Sequence, residues 1–149
     1  CLMPTNTFGP NDNYDSMNSH FFPALIKKCH EIKIKKKNEL ILWGNGKAKR
    51  EVMFVDDLAD ACIYFMKKRF KETVINIGTG KDYTIKEYAK KILNLVVPNK
   101  KILIKFDRTK PNGTPRKVLD ITLAKKYGWK SKTKLNFAIL KTYEKFKKK

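Results

Sequence analysis

Trp43 and Arg50 carry side chains that could bind a planar ring and an anion. Trp43 precedes the predicted turn Gly44–Gly46, and Arg50 precedes an apolar stretch. An indole ring can stack on a planar base, and a guanidinium group grips a phosphate with two hydrogen bonds. The sequence alone leaves two alternatives open: Trp43 could fill the core beside the turn, and Arg50 could form a surface ion pair.

Residues 110–117, Lys-Pro-Asn-Gly-Thr-Pro-Arg-Lys, form a second candidate. Pro111, Gly113 and Pro115 restrict the shape of the predicted loop. Arg116 and Lys117 at its end could then face a phosphate, although a basic loop is more often a solvated surface.

His20 follows a polar loop and begins a predicted helix, where free N–H groups attract anions. This position makes His20 a candidate functional residue; a helix-capping or partly exposed histidine is the alternative. We expect His30, in mid-helix among lysines, to be a surface residue without a partner. Asp56 and Asp57 could pass for a catalytic acid pair, but their position favours N-cap and first-turn roles.

The elements that must position these residues alternate between strand and helix. Residues 5–18 are predicted to be a polar loop, with Ser19 as the N-cap of the helix that follows, and Thr84 and Glu87 form a capping box. The predicted strands are 1–3, 39–43, 52–55, 73–77 and 102–106. The first predicted helix follows Ser19 and ends near residue 36. The other predicted helices cover 58–65, 85–95, 122–127 and 134–147. This alternation predicts an α/β fold.

Composition restricts the function classes. The 149 residues suffice for one domain, and the formal net charge of +20 rests on 34 Lys and Arg, of which only four are Arg. A nucleic-acid surface usually relies on Arg, so most lysines are interpreted as solvated; a basic polyanion-binding module remains the rival function. Three cysteines without a CxxC pair exclude a disulfide framework and a Cys-based zinc site, and they predict a reducing, cytoplasmic location. The chain opens inside a predicted strand, so we expect a C-terminal part of a longer protein.

Several segments resemble a known superfamily. Residues 4–10, 50–57 and 75–80 are similar to the C-terminal half of extended short-chain dehydrogenase/reductases that act on nucleotide sugars. Asn18-Ser19-His20, with the helix start after it, and residues 110–117 resemble one family within it, the GDP-L-fucose synthases.

The resemblance implies the C-terminal, substrate-binding half of a Rossmann-type fold over residues 1–149, with the dinucleotide-binding half outside this chain. In the full-length protein it implies NADPH-dependent 3,5-epimerisation and 4-keto reduction of GDP-4-dehydro-6-deoxy-D-mannose, and a homodimer. Another nucleotide-sugar epimerase or dehydratase is the alternative. The Tyr-x-x-x-Lys pair and the Gly-rich fingerprint of such enzymes are absent from the printed sequence, so we expect the isolated chain to be inactive and poorly stable.

The resemblance also implies roles for individual residues, and none of these residues is implied to bind a metal. His20 is the implied catalytic acid and, with Pro4, Thr5, Asn6 and Thr7, contacts NADP(H). The implied contacts to the GDP-sugar are Asn18, Lys28, Trp43, Arg50, Asn112 and Lys117. Three positions depart from the family pattern: Thr7 stands for Leu, Lys28 for Arg and Asn112 for Asp.

Overall fold

Short parallel strands and amphipathic helices alternate along the chain. The computed structural model describes residues 1–15 and 18–148. The strands are β1 (Leu2–Pro4), β2 (Asn6–Phe8), β3 (Glu39–Trp43), β4 (Lys49–Phe54), β5 (Ile75–Ile77), β6 (Asp82–Thr84), β7 (Leu103–Asp107) and β8 (Arg116–Lys117). The helices are α1 (Phe21–Ile34), α2 (Val55–Met66), α3 (Ile85–Val96), α4 (Thr122–Lys126) and α5 (Leu135–Phe146).

Strand pairing is predominantly parallel, which confirms the predicted α/β class. β1 pairs with β5, β2 with β4, β3 with β7 and β8 with β4, all in parallel. The exception is the antiparallel pair of β4 and β6. β4 therefore connects three strands, and its position controls much of the fold.

Two apolar clusters hold these layers together. The larger cluster joins α1, α3 and α5 to β2, β3 and β4, and it includes Phe22, Ile26 and Ile92. The smaller cluster lies among α2, β5 and the segment around α4, and it includes Phe65 and Trp129. Each fully buried aliphatic or aromatic side chain contributes about 1.5–3 kcal/mol, so these clusters supply most of the driving force for folding.

Four local predictions were wrong. β2 lies inside the predicted loop 5–18, because its residues pair with β4 despite their polar, turn-forming composition. β6 and β8 were not predicted; both pair with β4. His20 rather than Ser19 is the N-cap of α1, and Phe54 rather than either aspartate is the N-cap of α2. Residues 16 and 17 of the predicted loop, and residue 149 of the predicted tail, lie outside the described residues.

β3 has a period of two that decides which side chains face solvent. Leu40 and Leu42 are buried, whereas Ile41 and Trp43 are more than half exposed. Successive strand residues point to opposite faces, so the burial of the two leucines turns Trp43 outward. None of the helices in the described ranges is long and apolar enough to cross a membrane.

The capping box of α3 is a confirmed prediction. The Thr84 hydroxyl accepts a hydrogen bond from the Glu87 amide at 3.1 Å, and the Glu87 carboxylate accepts one from the Thr84 amide at 2.7 Å. Hydrogen bonds from Thr84 hold the pKa of Glu87 below its usual value. This box fixes the first turn of a helix that carries core residues.

We expect Thr84→Ala to lower the free energy of unfolding by about 1 kcal/mol, because the first turn of α3 loses its cap. Urea denaturation followed by circular dichroism measures this change. Thr73→Ala is the matched control, since Thr73 is exposed and its hydroxyl makes no hydrogen bond within the described residues. Equal losses in the two variants would contradict a stabilising role for the cap.

Candidate functional site

The ring of Trp43 is exposed and lies near two lysine ammonium groups. Its exposed fraction is 61%, and the Nζ atoms of Lys28 and Lys110 each lie 5.8 Å from the ring centre. Lys28 comes from α1, where its Nζ also donates to the Ile41 carbonyl at 3.3 Å. The core-filling alternative for Trp43 is therefore wrong, and the exposed ring lies beside two cations.

Lys110 is a site residue that the sequence analysis did not single out. The Asp107 carboxylate accepts hydrogen bonds from the Thr109 amide at 3.0 Å and hydroxyl at 2.6 Å, and the Lys110 amide donates to the Asp107 carbonyl at 3.3 Å. The Thr109 hydroxyl bond is the main cause of a lowered pKa at Asp107. The Asp-x-Thr spacing is a signal in the sequence that could have predicted the turn before Lys110.

Asn112 joins the loop after β7 to the turn after β3. Its Oδ1 atom accepts a hydrogen bond from the Asn45 amide at 2.8 Å. Gly44 has a φ of +67°, and a Cβ atom there would lie 2.5 Å from the same oxygen, so the close approach requires glycine. The carboxamide NH2 of Asn112 forms no hydrogen bond within the described residues and remains available to a ligand.

A cavity of about 600 Å³ opens beside this junction. It is lined by Gly44, Asn45, Gly46, Lys47, Thr84, Lys86, Phe106, Arg108 and Asn112. Three of these described lining residues are cationic and none is acidic, so the cavity favours an anionic or polar ligand group.

Arg50 and Lys117 lie side by side on β4 and β8, in register. Arg50 Nη1 donates to the carbonyl oxygens of Lys49 at 2.8 Å and Thr114 at 2.5 Å. Arg50 forms no ion pair within the described residues, so the surface ion-pair alternative is wrong. Its Nη1 atom braces the 110–117 segment, and its other N–H groups, with the exposed Lys117, remain able to bind a phosphate.

Arg116 does not behave as predicted. Its Nε atom donates to the Asp82 carboxylate at 2.5 Å, across the edge of β4. This hydrogen bond is the main cause of a lowered pKa at Asp82. Arg116 is therefore occupied by an ion pair, and the phosphate-facing role predicted for it finds no support in its contacts.

His20 and Asn18 are exposed residues just before α1. His20 is the N-cap of α1 by position and its side chain makes no capping hydrogen bond, so the alternative of an exposed histidine at the helix start agrees with the structure, and the imidazole is accessible. The Asn18 amide donates to the Asp15 carboxylate at 2.8 Å. No hydrogen bond or ring contact joins either side chain to Trp43 or Arg50 in the part of the chain that is described.

Residues 4–7 cross from the β5 side of the sheet to β4. The Thr5 hydroxyl is buried and donates to the Glu51 carbonyl at 3.4 Å, and the Asn6 amide group donates to the same oxygen at 3.1 Å. Pro4 is exposed and Thr7 is half-buried. These contacts leave Pro4, Thr7 and the backbone as the groups that a cofactor could reach.

Glu51 is a buried carboxylate that the sequence analysis overlooked, and its exposed fraction is 0%. Oε1 accepts hydrogen bonds from the amides of Thr79 at 2.5 Å and Gly80 at 2.7 Å, and Oε2 accepts one from the Leu119 amide at 2.8 Å. A Cβ atom at Gly78 would lie 2.4 Å from Oε1. The signal in the sequence was a charged residue directly before the apolar residues 52–55. Glu51 connects β4 to the 79–80 turn and to the segment at Leu119.

The structure contradicts the prediction for His30 and agrees with the first-turn position predicted for Asp56 and Asp57. His30 is not an unpartnered surface residue, because its Nδ1 lies 3.0 Å from the Tyr143 hydroxyl and its ring packs against Phe146; burial lowers its pKa. Asp57 is buried and accepts hydrogen bonds from Ser131 and Thr133, whereas Asp56 pairs with Lys141 at the surface. The aspartates are first-turn residues with separate structural partners, not an acid pair.

We expect Glu51→Gln to lower the free energy of unfolding by about 2 kcal/mol, because the new NH2 group would face backbone N–H donors that it cannot satisfy. Urea denaturation measures the loss. Glu144→Gln is the control, since Glu144 is exposed and, among the described residues, its carboxylate pairs only with Lys147. A Glu51→Gln chain as stable as this control would show that the buried carboxylate is dispensable.

Comparisons with known proteins place the chain in a family. A profile of the NAD dependent epimerase/dehydratase family matches residues 1–78. The chain is 41% identical over 142 residues to GDP-L-fucose synthase 1 of Arabidopsis thaliana, covering 95% of the chain and 43% of that protein. It is 38% identical over 154 residues to GDP-L-fucose synthase of Escherichia coli K12, covering 97% of the chain and 47% of that protein. The chain thus spans less than half the length of these relatives.

A solved structure extends the comparison to three dimensions. A GDP-D-glycero-L-gluco-heptose synthase from Campylobacter jejuni, crystallised in the presence of NADPH, superimposes with a TM-score of 0.82 at 30% identity. The match covers 99% of the chain and 52% of that protein. The fold is accordingly a portion of a Rossmann-type enzyme fold.

Proposed function

Because the chain belongs to the NAD dependent epimerase/dehydratase family, we propose that it is the substrate-binding portion of a GDP-L-fucose synthase. In this proposal residues 1–149 hold the GDP-sugar, and a dinucleotide-binding half completes the enzyme. The full-length protein would convert GDP-4-dehydro-6-deoxy-D-mannose to GDP-L-fucose. The observation that carries the proposal is the exposed Trp43 ring with the Nζ atoms of Lys28 and Lys110 each 5.8 Å from its centre.

This arrangement suits the two chemical parts of a nucleoside diphosphate. A base that stacks on an aromatic ring gains about 1–3 kcal/mol, and the exposed Trp43 ring offers such a surface. Lys28 and Lys110 supply positive charge at the ring, where a diphosphate would follow the base. Neither lysine forms an ion pair within the described residues, so neither charge must be released before a phosphate binds.

The 110–117 segment connects this ring to the remaining proposed substrate contacts. Asn112 is bonded to the turn after Trp43, and Arg50 donates to the Thr114 carbonyl further along the same segment. Arg50 and Lys117 extend the positive surface along it, and we assign them to the phosphates or the sugar. Asn18 is assigned to the sugar on the family resemblance alone.

We assign the nicotinamide end of NADP(H) to Pro4, Thr5, Asn6, Thr7 and His20. The hydrogen bonds of Thr5 and Asn6 to Glu51 hold this strand end rigid, so those two residues would contact the cofactor through their backbone. NADPH supplies the hydride that reduces the ketone at C4 of the sugar.

His20 is the proposed proton donor in the epimerisation. The C4 ketone acidifies the hydrogens at C3 and C5, so a base can remove them to form an enolate, and an acid returns a proton on the opposite face. The exposed imidazole of His20 is free of intramolecular hydrogen bonds within the described residues, which suits a group that carries a proton to a ligand. The proposal also includes a homodimer, and a cytoplasmic location in keeping with three free cysteines.

The direct test is NADPH oxidation by the full-length protein with GDP-4-dehydro-6-deoxy-D-mannose as substrate. We expect turnover, and we expect His20→Gln to lower kcat by about 100-fold, since general acid–base groups typically contribute at least that much. His30→Gln is the matched control and leaves kcat close to wild type. Turnover only with a UDP- or TDP-sugar would instead support another epimerase or dehydratase of the family.

A binding measurement separately tests the proposed GDP contacts of Trp43, Lys28 and Lys110. Titration with GDP should quench the fluorescence of Trp43, on which the base is proposed to stack. Trp129, the other tryptophan of the 149 residues, is buried with its Nε1 bonded to Asp60, so the change is assigned to Trp43. We expect Lys110→Met to raise the Kd for GDP by about tenfold, which corresponds to 1.4 kcal/mol, and to leave guanosine binding unchanged. Lys145→Met, at an exposed position on α5, is the control. Equal GDP affinity in both variants would show that Lys110 does not contribute to GDP binding.

A further inference from the structure

The cavity of about 600 Å³ at the end of β3 and β7 lies on the opposite face of these strands from Trp43. Leu42 is the register partner of Phe106, so their side chains share one face, and Trp43 points to the other. Phe106 lines the cavity. Trp43, Lys28 and Lys110 are not among its described lining residues. The cavity is therefore separate from the proposed GDP contacts at the Trp43 ring.

The start of α3 and the turn after β3 form two walls of this cavity. The backbone amides of Ile85 and Lys86 donate to the carbonyls of Ala48 and Gly46, at 3.0 Å and 3.1 Å. The capping box uses the amides on either side of this pair. All four amides are thus bonded within the protein, so a ligand of the cavity must be recognised by side chains.

Three cations line the cavity, and none of them has a carboxylate partner within the described residues. They are the exposed Lys47, Lys86 and Arg108. Glu87 and Asp107, the acidic neighbours of Lys86 and Arg108, direct their carboxylates to threonine hydroxyls instead. In a chain with a net charge of +20, a cationic lining alone shows little, so the uncharged polar groups decide what the cavity can bind.

The uncharged side-chain oxygens of the lining already accept hydrogen bonds within the protein. Oδ1 of Asn112 accepts from the Asn45 amide at 2.8 Å, and Oδ1 of Asn45 accepts from the Lys47 amide at 2.9 Å. The Thr84 hydroxyl accepts from the Glu87 amide at 3.1 Å and donates to its carboxylate at 2.8 Å. The NH2 groups of Asn45 and Asn112 form no hydrogen bond within the described residues. The lining side chains therefore offer cations and donors, and no oxygen that is free of a hydrogen bond.

We propose that this cavity binds a phosphate ester, through its phosphate group, as a second ligand beside the GDP-sugar. Ionised phosphate oxygens accept hydrogen bonds and pair with Lys and Arg, which matches a lining of donors and cations. A base that donates through N–H groups finds no unused side-chain oxygen there. Small-molecule sites have volumes of about 300–1,000 Å³, so the cavity also has room for the organic part of an ester.

Asn112 is where this chain gains the site. The family pattern has Asp at this position, and a carboxylate could keep the hydrogen bond from the Asn45 amide through one oxygen. Its second oxygen would then stand where the NH2 group of Asn112 now stands, and would repel an anion. The asparagine replaces that negative charge with a donor, so the site is a property of this chain and does not depend on the proposed function.

Calorimetric titration of the full-length protein with inorganic pyrophosphate tests the site. GDP and NADP+ are present at saturation, so that the nucleotide sites cannot take up the probe. We expect pyrophosphate to bind, and Arg108→Met to raise its Kd at least about tenfold, because a charge-assisted contact is lost. Arg69→Met is the matched control, since Arg69 is exposed and lies outside the described lining. Absence of binding, or equal Kd values in the two variants, would overturn the proposal.

A second pair of variants separates local chemistry from net charge. Asn112→Asp should raise the Kd for pyrophosphate at least about tenfold, because a carboxylate oxygen replaces the NH2 donor. Asn99→Asp introduces the same charge at an exposed position beyond the other end of α3, and it should bind like wild type. Equal weakening by both variants would show that the probe responds to net charge alone, and would contradict a site.

Two further measurements identify the ligand and keep the two proposals apart. Under the same conditions ribose 5-phosphate should bind more tightly than inorganic phosphate; the reverse order would contradict an ester as ligand. A full-length protein with Arg108-dependent pyrophosphate binding but no NADPH oxidation with the GDP-sugar would keep the site and contradict the proposed function. Turnover without this binding would do the opposite.

Discussion

The buried carboxylate of Glu51 constrains more of this structure than any apolar contact does. A charged group without water must receive hydrogen bonds, and here backbone amides from the 79–80 turn and from Leu119 supply them. The backbone carbonyl of the same residue accepts from Thr5 and Asn6. One residue of β4 therefore determines where the turn after β5, the segment before α4 and the strand end at residues 5–6 must lie.

The candidate site is built outward from that fixed strand. Arg50 precedes Glu51, and its guanidinium group reaches the Thr114 carbonyl, while Asn112 holds the same segment to the turn after β3. β3 and β7 are parallel and end together at Trp43 and Asp107. Ligands of open α/β sheets bind beyond the carboxyl ends of the strands, which is where Trp43 and Lys110 stand.

In this lysine-rich chain a few cations have a carboxylate partner, and the cations of the candidate site are not among them. Lys105, Lys132, Lys141, Lys147 and Arg116 each face a carboxylate. Lys28, Lys110 and Lys117 form no ion pair within the described residues and lie along the site. Exposed ion pairs contribute little to stability. They do show which cations already have a carboxylate as counter-charge.

The sequence by itself determined the α/β class, the capping box of α3, strand β3 and the family resemblance, because each depends on local periodicity or on a contiguous motif. The family resemblance also named Trp43, Arg50, Lys28, Asn112 and Lys117 as candidate contacts, which stay predictions, and the sequence left open whether Trp43 was core or surface. Only the tertiary structure decided that question, since the outward direction of Trp43 follows from the burial of Leu40 and Leu42 against other elements. β2, β6 and β8, the ion pair of Arg116, the bond between His30 and Tyr143 and the burial of Glu51 likewise join residues distant in the sequence. Such contacts have no local signature, because a short polar strand or a buried charge is stabilised only by the partner that the fold brings to it.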